Sequence, residues 1–188
     1  NMYEESVKVP FIARHPGRIP AGVVCDSLVS AYDFMPTLLD YLGLKPLDMA
    51  KRPGVSFVPA LLGQGFERPG GIVVMDEYGP NRMLRDQRYK YIARYPYGPN
   101  ALYDLKADPG EQDNLLAHGG FEALEQELRG RLEKWFAKYV NPEIDGAREA
   151  VFGSGQIGLA GLWGAGVSAH SCDDYIKKNP NYALYRVK

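Results

Sequence analysis

Four groups of residues have types and spacings that could support chemistry, and each also has a simpler structural explanation. The segment 153–158 matches the pattern G-x-G-x-x-G, and Asp173 lies twenty residues after Gly153. This pattern binds a dinucleotide pyrophosphate where a strand passes into a helix within a βαβ unit. Six glycines fall within residues 153–166, so no such helix is predicted to follow. We therefore interpret the segment as part of a glycine-rich arm.

A second group consists of four acidic residues, Asp104, Asp108, Glu111 and Asp113. A calcium-binding loop needs oxygen ligands at alternate positions around a glycine, and this spacing does not provide them. Residues 108–111, D-P-G-E, instead predict a tight turn with proline at its second position and glycine at its third. We therefore expect a solvated turn and no metal site here.

The histidines and cysteines form the third group, and they are scattered. His15, His118 and His170 do not show the close spacing of a zinc site, and Cys25 and Cys172 permit at most one disulfide. The sequence contains no G-x-S-x-G, H-E-x-x-H, P-loop or C-x-x-C motif. The residues alone therefore predict neither a catalytic residue nor a metal ligand within this chain.

Basic and aromatic side chains alternate in the fourth group, between residues 78 and 95. The basic members are Arg82, Arg85, Arg88, Lys90 and Arg94. The tyrosines are Tyr78, Tyr89, Tyr91 and Tyr95. Such a surface could bind an anion or a sugar. An ordinary exposed strand surface would have the same composition, and we favour that interpretation.

The hydrophobic pattern of the first part of the chain predicts one strand and two helices. Residues 7–14 are rich in apolar and β-branched side chains, which predicts a strand that is buried beyond its proline. Asp33 is a predicted N-cap of the next helix, with Pro36 in its first turn and Gly43 at its end. A short second helix is predicted over residues 56–62.

The second part predicts an antiparallel meander followed by a long helix. Strands are expected at residues 71–78, 82–85, 89–95 and 101–105. Tyrosine and alanine alternate with polar or aliphatic residues over 89–95, the pattern of a half-exposed strand. Apolar residues recur at steps of three and four over 121–140, which predicts an amphipathic helix. The second part is therefore α+β, and the first resembles the edge of a larger α/β unit.

The composition is that of a soluble globular protein and excludes few function classes. Of the 188 residues, 45% are hydrophobic and 24% are charged. A net charge of −1 gives no indication of nucleic acid or of an anionic membrane as a partner. The longest apolar stretch, residues 157–169, is too short and too rich in glycine to span a bilayer. The cellular location stays open.

Five sequence blocks, in order, resemble the sulfatase family. The first is YEESVKVPFIARHPGRIPAG at residues 3–22, and the second is VSAYDFMPTLLD at residues 29–40. The others are residues 54–63, residues 82–92 and LYDLKADPGEQDNL at residues 102–115. The resemblance covers about residues 2–138. A weaker similarity of the arm is to bacterial arylsulfatases and phosphonate monoester hydrolases.

The resemblance implies an alkaline-phosphatase-like fold. Residues 1–69 would be the last strand and helices of a large catalytic α/β domain. Residues 70–140 would form a small C-terminal domain with a four-stranded antiparallel sheet and a long helix. Residues 141–188 would be a glycine-rich extended arm. Because residues 1–69 would be a remnant, we expect exposed apolar surface around residues 9–12 and 38–42 unless something covers it.

The resemblance also implies where the catalytic machinery lies. The family's nucleophile is a formylglycine made from the Cys or Ser of a C/S-x-P-S-R motif, and neither Cys25 nor Cys172 stands in one. A divalent metal, usually calcium, stabilises the charge on the sulfate oxygens. The family's active-site Lys precedes the block that begins at Tyr3. We therefore expect these groups upstream of Asn1, no metal bound by this chain, and no activity of the chain alone.

Three functions remain open at this stage. The first is the C-terminal region of a sulfatase acting on organic sulfate esters. The second is the same region of a phosphonate or phosphodiester hydrolase of the superfamily. The third is a non-catalytic assembly and selectivity module, which could form a homo-oligomer through residues 141–188. In every case the rest of the catalytic domain would be a partner.

Substrate contacts are predicted in loops, because loops on a rigid scaffold usually carry specificity. The predicted contact residues are Tyr78, Asn81 and Arg82, in the loop after a sheet strand, and Gln156 and His170, in the arm.

Overall fold

The computed structural model describes residues 2–45, 48–76, 81–95 and 99–145. The predictions for Tyr78, Gln156 and His170, and those for most of the arm, lie outside the described residues. Within the described ranges, no helix combines the length and the apolar character needed to cross a membrane.

Four antiparallel strands form the sheet, in the order β1-β2-β3-β4. Their bounds are β1 Ile72–Met75, β2 Asn81–Arg85, β3 Tyr89–Arg94 and β4 Ala101–Asp104. The register places Leu84 opposite Val73 on one side and opposite Tyr91 on the other. The predicted four-stranded antiparallel sheet is confirmed.

Helices flank the sheet and fill the first part of the chain. Their bounds are α1 Glu4–Val7, α2 Phe34–Tyr41, α3 Val58–Leu61 and α4 Glu122–Tyr139. Short 3-10 turns lie at Ala31–Asp33, Leu115–Ala117 and Pro142–Ile144. The long C-terminal helix and the two shorter predicted helices are therefore confirmed, and Gly43 ends α2 with a φ of 65°.

The main hydrophobic core lies between α4 and one face of the sheet. Leu128, Leu132 and Phe136 of α4 are buried against sheet residues that include Leu84 and Tyr91. These helix residues are spaced by four, so they form one stripe along α4. Packing of this stripe on the sheet holds the second part of the chain together.

The opposite face of the sheet is also covered, which corrects the prediction of a half-exposed β3. Met2, Tyr3 and Val7 pack there against side chains that include Met83 and Ile92. Four consecutive residues of β3 are consequently buried. Alternation along a strand identifies its two faces, but it does not show whether a segment distant in sequence covers the face opposite the main core.

The predicted strand over residues 7–14 is wrong. Residues 4–7 form α1, and the chain after it has no strand structure. Val9 is 74% exposed and Ile12 is 90% exposed. A strand needs a neighbour for its backbone hydrogen bonds, and none of the described strands lies beside this segment.

Asp33 stands before α2 as predicted, but its side chain does not cap that helix. Its carboxylate accepts hydrogen bonds from the backbone N–H groups of Ser30 and Val55, at 2.7 and 2.8 Å, and forms a buried ion pair with Arg68. Asp33 therefore connects the start of α2 to the segments that contain Ser30, Val55 and Arg68. The backbone carbonyl of Asp33 accepts from Thr37 Oγ1.

Candidate functional site

The two described residues among the predicted substrate contacts, Asn81 and Arg82, lie at one end of the sheet. Both belong to β2 itself, whereas the sequence predicted a loop position for them. Strand direction alternates, so the start of β2 and the end of β3 meet there. The C-terminal part of α4 reaches the same place, because Phe136 packs on Arg82. We call this region the hairpin end and define it by Asp76, Asn81, Arg82, Tyr95 and Asp145.

Arg82 is the central residue of the hairpin end, and it is only 5% exposed. Its guanidinium carbon lies 3.8 Å from the ring centroid of Phe136 and 5.0 Å from that of Tyr95. The guanidinium also forms an ion pair with Asp145. Burial lowers the pKa of Arg82, while Tyr95 and Asp76 oppose that change. Stacking and pairing together compensate the buried charge.

Asn81 joins β2 to the end of β1. Its Nδ2 donates to Asp76 Oδ2 at 2.5 Å, and the backbone N–H of Asp76 donates to the carbonyl of Asn81 at 3.0 Å. Asn81 is buried, and its Oδ1 has no hydrogen-bond partner among the described residues. These bonds close the β1–β2 hairpin on the strand side.

The hairpin end therefore brings together side chains that determine where two connections leave the sheet. The contacts of Asn81 and Arg82 with protein groups suit a positioning role, because neither side chain presents its charge or amide to solvent. Asp145 lies beyond α4, so its pairing with Arg82 holds the start of residues 141–188 beside the β1–β2 hairpin.

The described basic and aromatic residues between 78 and 95 do not form a single surface. The exposed strand surface that we favoured for them is also wrong, because Arg82, Lys90 and Tyr91 are buried. Arg82 lies on the face covered by α4, whereas Lys90 and Arg85 lie on the opposite face. Arg88 lies in the β2–β3 turn and bonds to Asp104 at 2.7 and 2.9 Å. The basic side chains thus point to two faces and one end of the sheet, and most of them already have acidic partners.

Sequence reasoning missed a buried ion cluster on the second face of the sheet. Lys90 has no exposed surface, and its Nζ lies 2.7 Å from Glu4 Oε1 and 2.8 Å from Glu111 Oε1. Arg85 Nε donates to the same oxygen of Glu4 at 3.0 Å. A lysine among apolar strand residues was the signal for this cluster. Its acidic partners are 86 and 21 residues away in sequence, so they could not be paired with it.

The acidic turn is only partly solvated, which corrects its prediction. Glu111 is buried against Lys90, and Asp104 is buried beside Arg88. The hydrogen bond and charge of Arg88 lower the pKa of Asp104. Asp113 stays exposed and lies 2.5 Å from His118 Nε2. Nowhere in the described ranges do three or more His, Cys, Asp or Glu side chains come together as a metal site would require.

A groove of about 440 Å³ lies at the other end of the sheet, between α4, the β2–β3 turn and residues 67–71. Most of its charged side chains have partners of opposite charge, either in the groove or beside it. Arg131 bonds to Asp86 at 3.0 Å and to the carbonyl of Gly70 at 3.3 Å. The groove, as far as the described residues line it, therefore has a charge-balanced surface without a group of unpaired ligands.

A comparison with protein families matches most of the chain to one of them. The family model described as "N-sulphoglucosamine sulphohydrolase, C-terminal" matches residues 1–138.

Two similar curated proteins come from Bacteroides thetaiotaomicron. A Delta 4,5-hexuronate-2-O-sulfatase is 32% identical over 147 residues, covering 73% of this chain and 30% of that protein. An N-acetylglucosamine-6-O-sulfatase is 30% identical over 167 residues, covering 80% of this chain and 29% of that protein. The chain thus spans about 30% of the length of these relatives.

One solved structure, Ps i-CgsB, superposes with a TM-score of 0.53. It is 17% identical in sequence, and the match covers 92% of this chain and 34% of that chain. At this identity the likeness shows the fold alone.

Proposed function

The chain belongs to the sulfatase family, as a C-terminal domain, and from this we propose that it is the C-terminal region of an enzyme that hydrolyses organic sulfate esters. Its fold is the end of the alkaline-phosphatase-like fold, with the four-stranded sheet and α4 as the closing unit. The two relatives described above are named for sulfate groups on a hexuronate and on N-acetylglucosamine. A sulfated sugar is therefore the substrate class that we propose.

The catalytic groups, in this proposal, belong to upstream sequence. Neither cysteine stands in a C-x-P-S-R motif, and the chain spans only about 30% of its relatives. The described residues do not fit the divalent metal that the family's chemistry implies, for which calcium is the expected ion. Asp33, Asp104 and Glu111 are each paired with a cationic side chain. We therefore assign no step of the reaction to a metal held by the described residues.

The observation that carries this proposal is the distribution of exposed apolar side chains. Large exposed apolar residues of the described chain fall between Val9 and Val55, with Met75 as the exception. Among the described residues between Met2 and Phe57 no apolar side chain is buried, and Thr37 is the one buried residue of α2. A segment with an exposed apolar surface and no core of its own is typical of a larger domain's edge. We propose that this apolar surface packs against the rest of the large domain.

The predicted substrate contacts at Tyr78, Gln156 and His170 are retained as a proposal. Because Asn81 and Arg82 are buried, we propose for them a positioning role instead of the predicted contact: they orient the connections at the hairpin end, whose side chains contact the sugar. The support is the ion pair between Asp145 and Arg82, which holds the first residues of the segment 141–188 beside the β1–β2 hairpin. A homo-oligomer formed through residues 141–188 also stays a prediction, which sedimentation with and without that segment would test.

The decisive experiment compares this chain with the same chain extended by its upstream residues. Both would be assayed with glucosamine 6-sulfate, an unsaturated hexuronate 2-sulfate, an aryl sulfate and a phosphonate monoester, with added calcium. We expect sulfate release by the extended protein and none by the chain alone above a blank without protein. Turnover by the chain alone, after repurification, would refute the upstream location of the catalytic groups. Hydrolysis of the phosphonate alone would replace the sulfatase proposal with the alternative.

A further inference from the structure

Lys90 lies in the middle strand pair with three oxygens around its ammonium group. Besides its contacts with Glu4 and Glu111, its Nζ donates to the backbone carbonyl of Met2 at 3.0 Å. The Met2 carbonyl accepts a hydrogen bond from this group, whereas the carboxylates of Glu4 and Glu111 form ion pairs with it, and Glu111 Oε1 accepts no hydrogen bond among the described residues. The buried Lys90 side chain thus binds the segment 2–7 to the sheet through Met2 and Glu4.

Two further bonds tie the same segment down. The backbone N–H of Glu4 donates to Glu111 Oε2 at 2.5 Å, and Arg85 bonds to the Glu4 carboxylate. Glu111 has a φ of 53°, a left-handed conformation that is uncommon outside glycine. Such a conformation persists only where the surroundings hold the residue in place. We call Glu4, Lys90 and Glu111 the ion clamp.

The charge state of Glu4 agrees with this geometry. Burial raises the pKa of its carboxyl. The hydrogen bond and charge of Lys90 and the charge of Arg85 together lower it by a larger amount, so the pKa of Glu4 lies below its usual value. Glu4 is therefore ionised at neutral pH and contributes a full charge to the ion clamp.

Stability alone does not account for a buried ion cluster. Removing charges from water is costly, and well-packed apolar residues of similar volume are often equally or more stabilising. What ions provide is a single geometry, because apolar side chains such as Met2 and Val7 can slide on an apolar face whereas these hydrogen bonds cannot be made in another register. The chain leaves α1 at Lys8 and then runs into the exposed apolar residues Val9 and Ile12.

We propose that Glu4, Lys90 and Glu111 are positioning residues, which fix residues 2–7 in one register on the sheet and so place residues 9–12 for docking to the rest of the large domain. The inference rests on the proposed function, because the docking partner is part of it. It adds a role for buried charges that the family assignment does not describe.

Hydrogen exchange on the full chain tests the register directly. The variants are Glu4→Gln and Lys90→Met, and Glu5→Gln is the matched control because Glu5 is exposed and adjacent. We expect the amides of Val7 and Lys8, which bond to Tyr3 and Glu4, to exchange about tenfold faster in both clamp variants. Amides of α4 should keep their protection, and Glu5→Gln should match the unmodified chain.

A kinetic measurement on the protein with its upstream residues tests the positioning role. A misplaced segment would leave a fraction of molecules inactive without changing how the remainder bind substrate. We therefore expect Glu4→Gln to lower kcat about fivefold with KM unchanged, and Glu5→Gln to change neither.

Two results would overturn the ion clamp. One is unchanged exchange at Val7 and Lys8 in Glu4→Gln. The other is an equal loss of protection in α4, which would make the cluster a general stabiliser. Where Lys90→Met does not fold, Glu4→Gln decides. If neither the unmodified protein nor any variant hydrolyses a sulfate ester, the proposed function is refuted. The hydrogen-exchange result then still shows whether the ion clamp fixes residues 2–7.

Discussion

Buried charged side chains connect parts of this chain that are distant in sequence. Asp33 pairs with Arg68 across 35 residues, and Arg82 pairs with Asp145 across 63 residues. The Asp33–Arg68 pair connects the start of α2 to the segment before β1. The Arg82–Asp145 pair connects the segment after α4 to the hairpin end. At the scale of the residue, the ion pairs therefore determine how loops meet, while the apolar core determines how α4 meets the sheet.

Asp33→Asn should strongly destabilise the chain. Arg68 is buried, and removal of its counter-charge would leave an uncompensated guanidinium, at a cost of about 3–5 kcal/mol in the free energy of unfolding. Asp40→Asn is the matched control, since Asp40 is exposed on α2 and the amide oxygen of asparagine could still accept the hydrogen bond from Ser56 Oγ. It should change that free energy by no more than about 0.5 kcal/mol. Urea unfolding followed by circular dichroism measures both, and similar losses for the two variants would contradict the prediction.

Asp86→Asn should reduce the acid sensitivity of the chain. Burial raises the pKa of Asp86. Hydrogen bonds from the backbone N–H groups of Tyr89 and Arg88 and from Arg131 lower it by a larger amount, so its pKa lies below the usual value. Such a carboxylate stabilises the fold above its unfolded-state pKa of about 3.9, and the contribution disappears as the pH falls through the lower folded-state pKa.

The side-chain amide introduced by Asp86→Asn could still accept both backbone hydrogen bonds at Oδ1, while its Nδ2 would replace the oxygen that accepts from Arg131. The substitution therefore removes the charge together with the ion pair to Arg131. We expect this variant to lower stability by about 0.5 kcal/mol at pH 7 and to have no effect near pH 2. Urea titrations at a series of pH values measure the difference. A difference that stays constant over that range would show that the charge makes no contribution.

At the scale of the element, the turn before β1 depends on a close approach between two backbone segments. Gly71 has a φ of 78°, and a Cβ there would clash with the backbone carbonyl of Arg85 on the neighbouring strand. Gly70 has a φ of 74°, but a Cβ there would meet open space. The two glycines therefore share the conformational requirement, and only Gly71 also has a packing requirement.

Gly71→Ala should thus be more destabilising than Gly70→Ala. Both variants carry the strain of a left-handed alanine, about 1 kcal/mol. Gly71→Ala must also displace the start of β1 from β2, and we expect about 2 kcal/mol of further destabilisation. Thermal unfolding of the two variants provides the comparison. Equal melting temperatures would show that β1 can shift without loss of its pairing.

At the scale of the whole molecule, the two parts of the chain differ in how they bury apolar surface. Residues 72–136 contain nearly all buried apolar side chains of the described ranges, arranged on both faces of the sheet. Residues 9–55 contain most of the exposed ones. The fold of the first part therefore depends on polar contacts such as the Asp33–Arg68 pair and, in our proposal, on a further domain.

Ile12→Ser should distinguish a docking surface from an ordinary exposed residue. Ile12 is 90% exposed, so in this chain the change should alter the free energy of unfolding by no more than about 0.5 kcal/mol. In the protein that carries its upstream residues, a buried isoleucine would be lost, and the expected cost is about 1.5–3 kcal/mol. Thermal unfolding of both forms measures this difference, and a small effect in both would refute docking at Ile12.

The sequence by itself determined the elements whose signals are local. Apolar residues spaced by three and four predicted α4, and short β-branched or aromatic runs separated by turn residues predicted the four strands in order. The motif blocks also identified the family. The helix and strand signals depend on neighbouring residues, whose side-chain period follows from backbone geometry alone.

Only the tertiary structure decided the environment of each side chain. The same pattern that predicted a half-exposed β3 became a strand buried on both faces, because residues 2–7 cover it. Lys90 became an internal anchor and Val9 an exposed residue, the opposite of what their types suggest. Burial depends on which distant segments pack on an element. That choice is made by long-range contacts, which the spacing of residues along one segment does not encode.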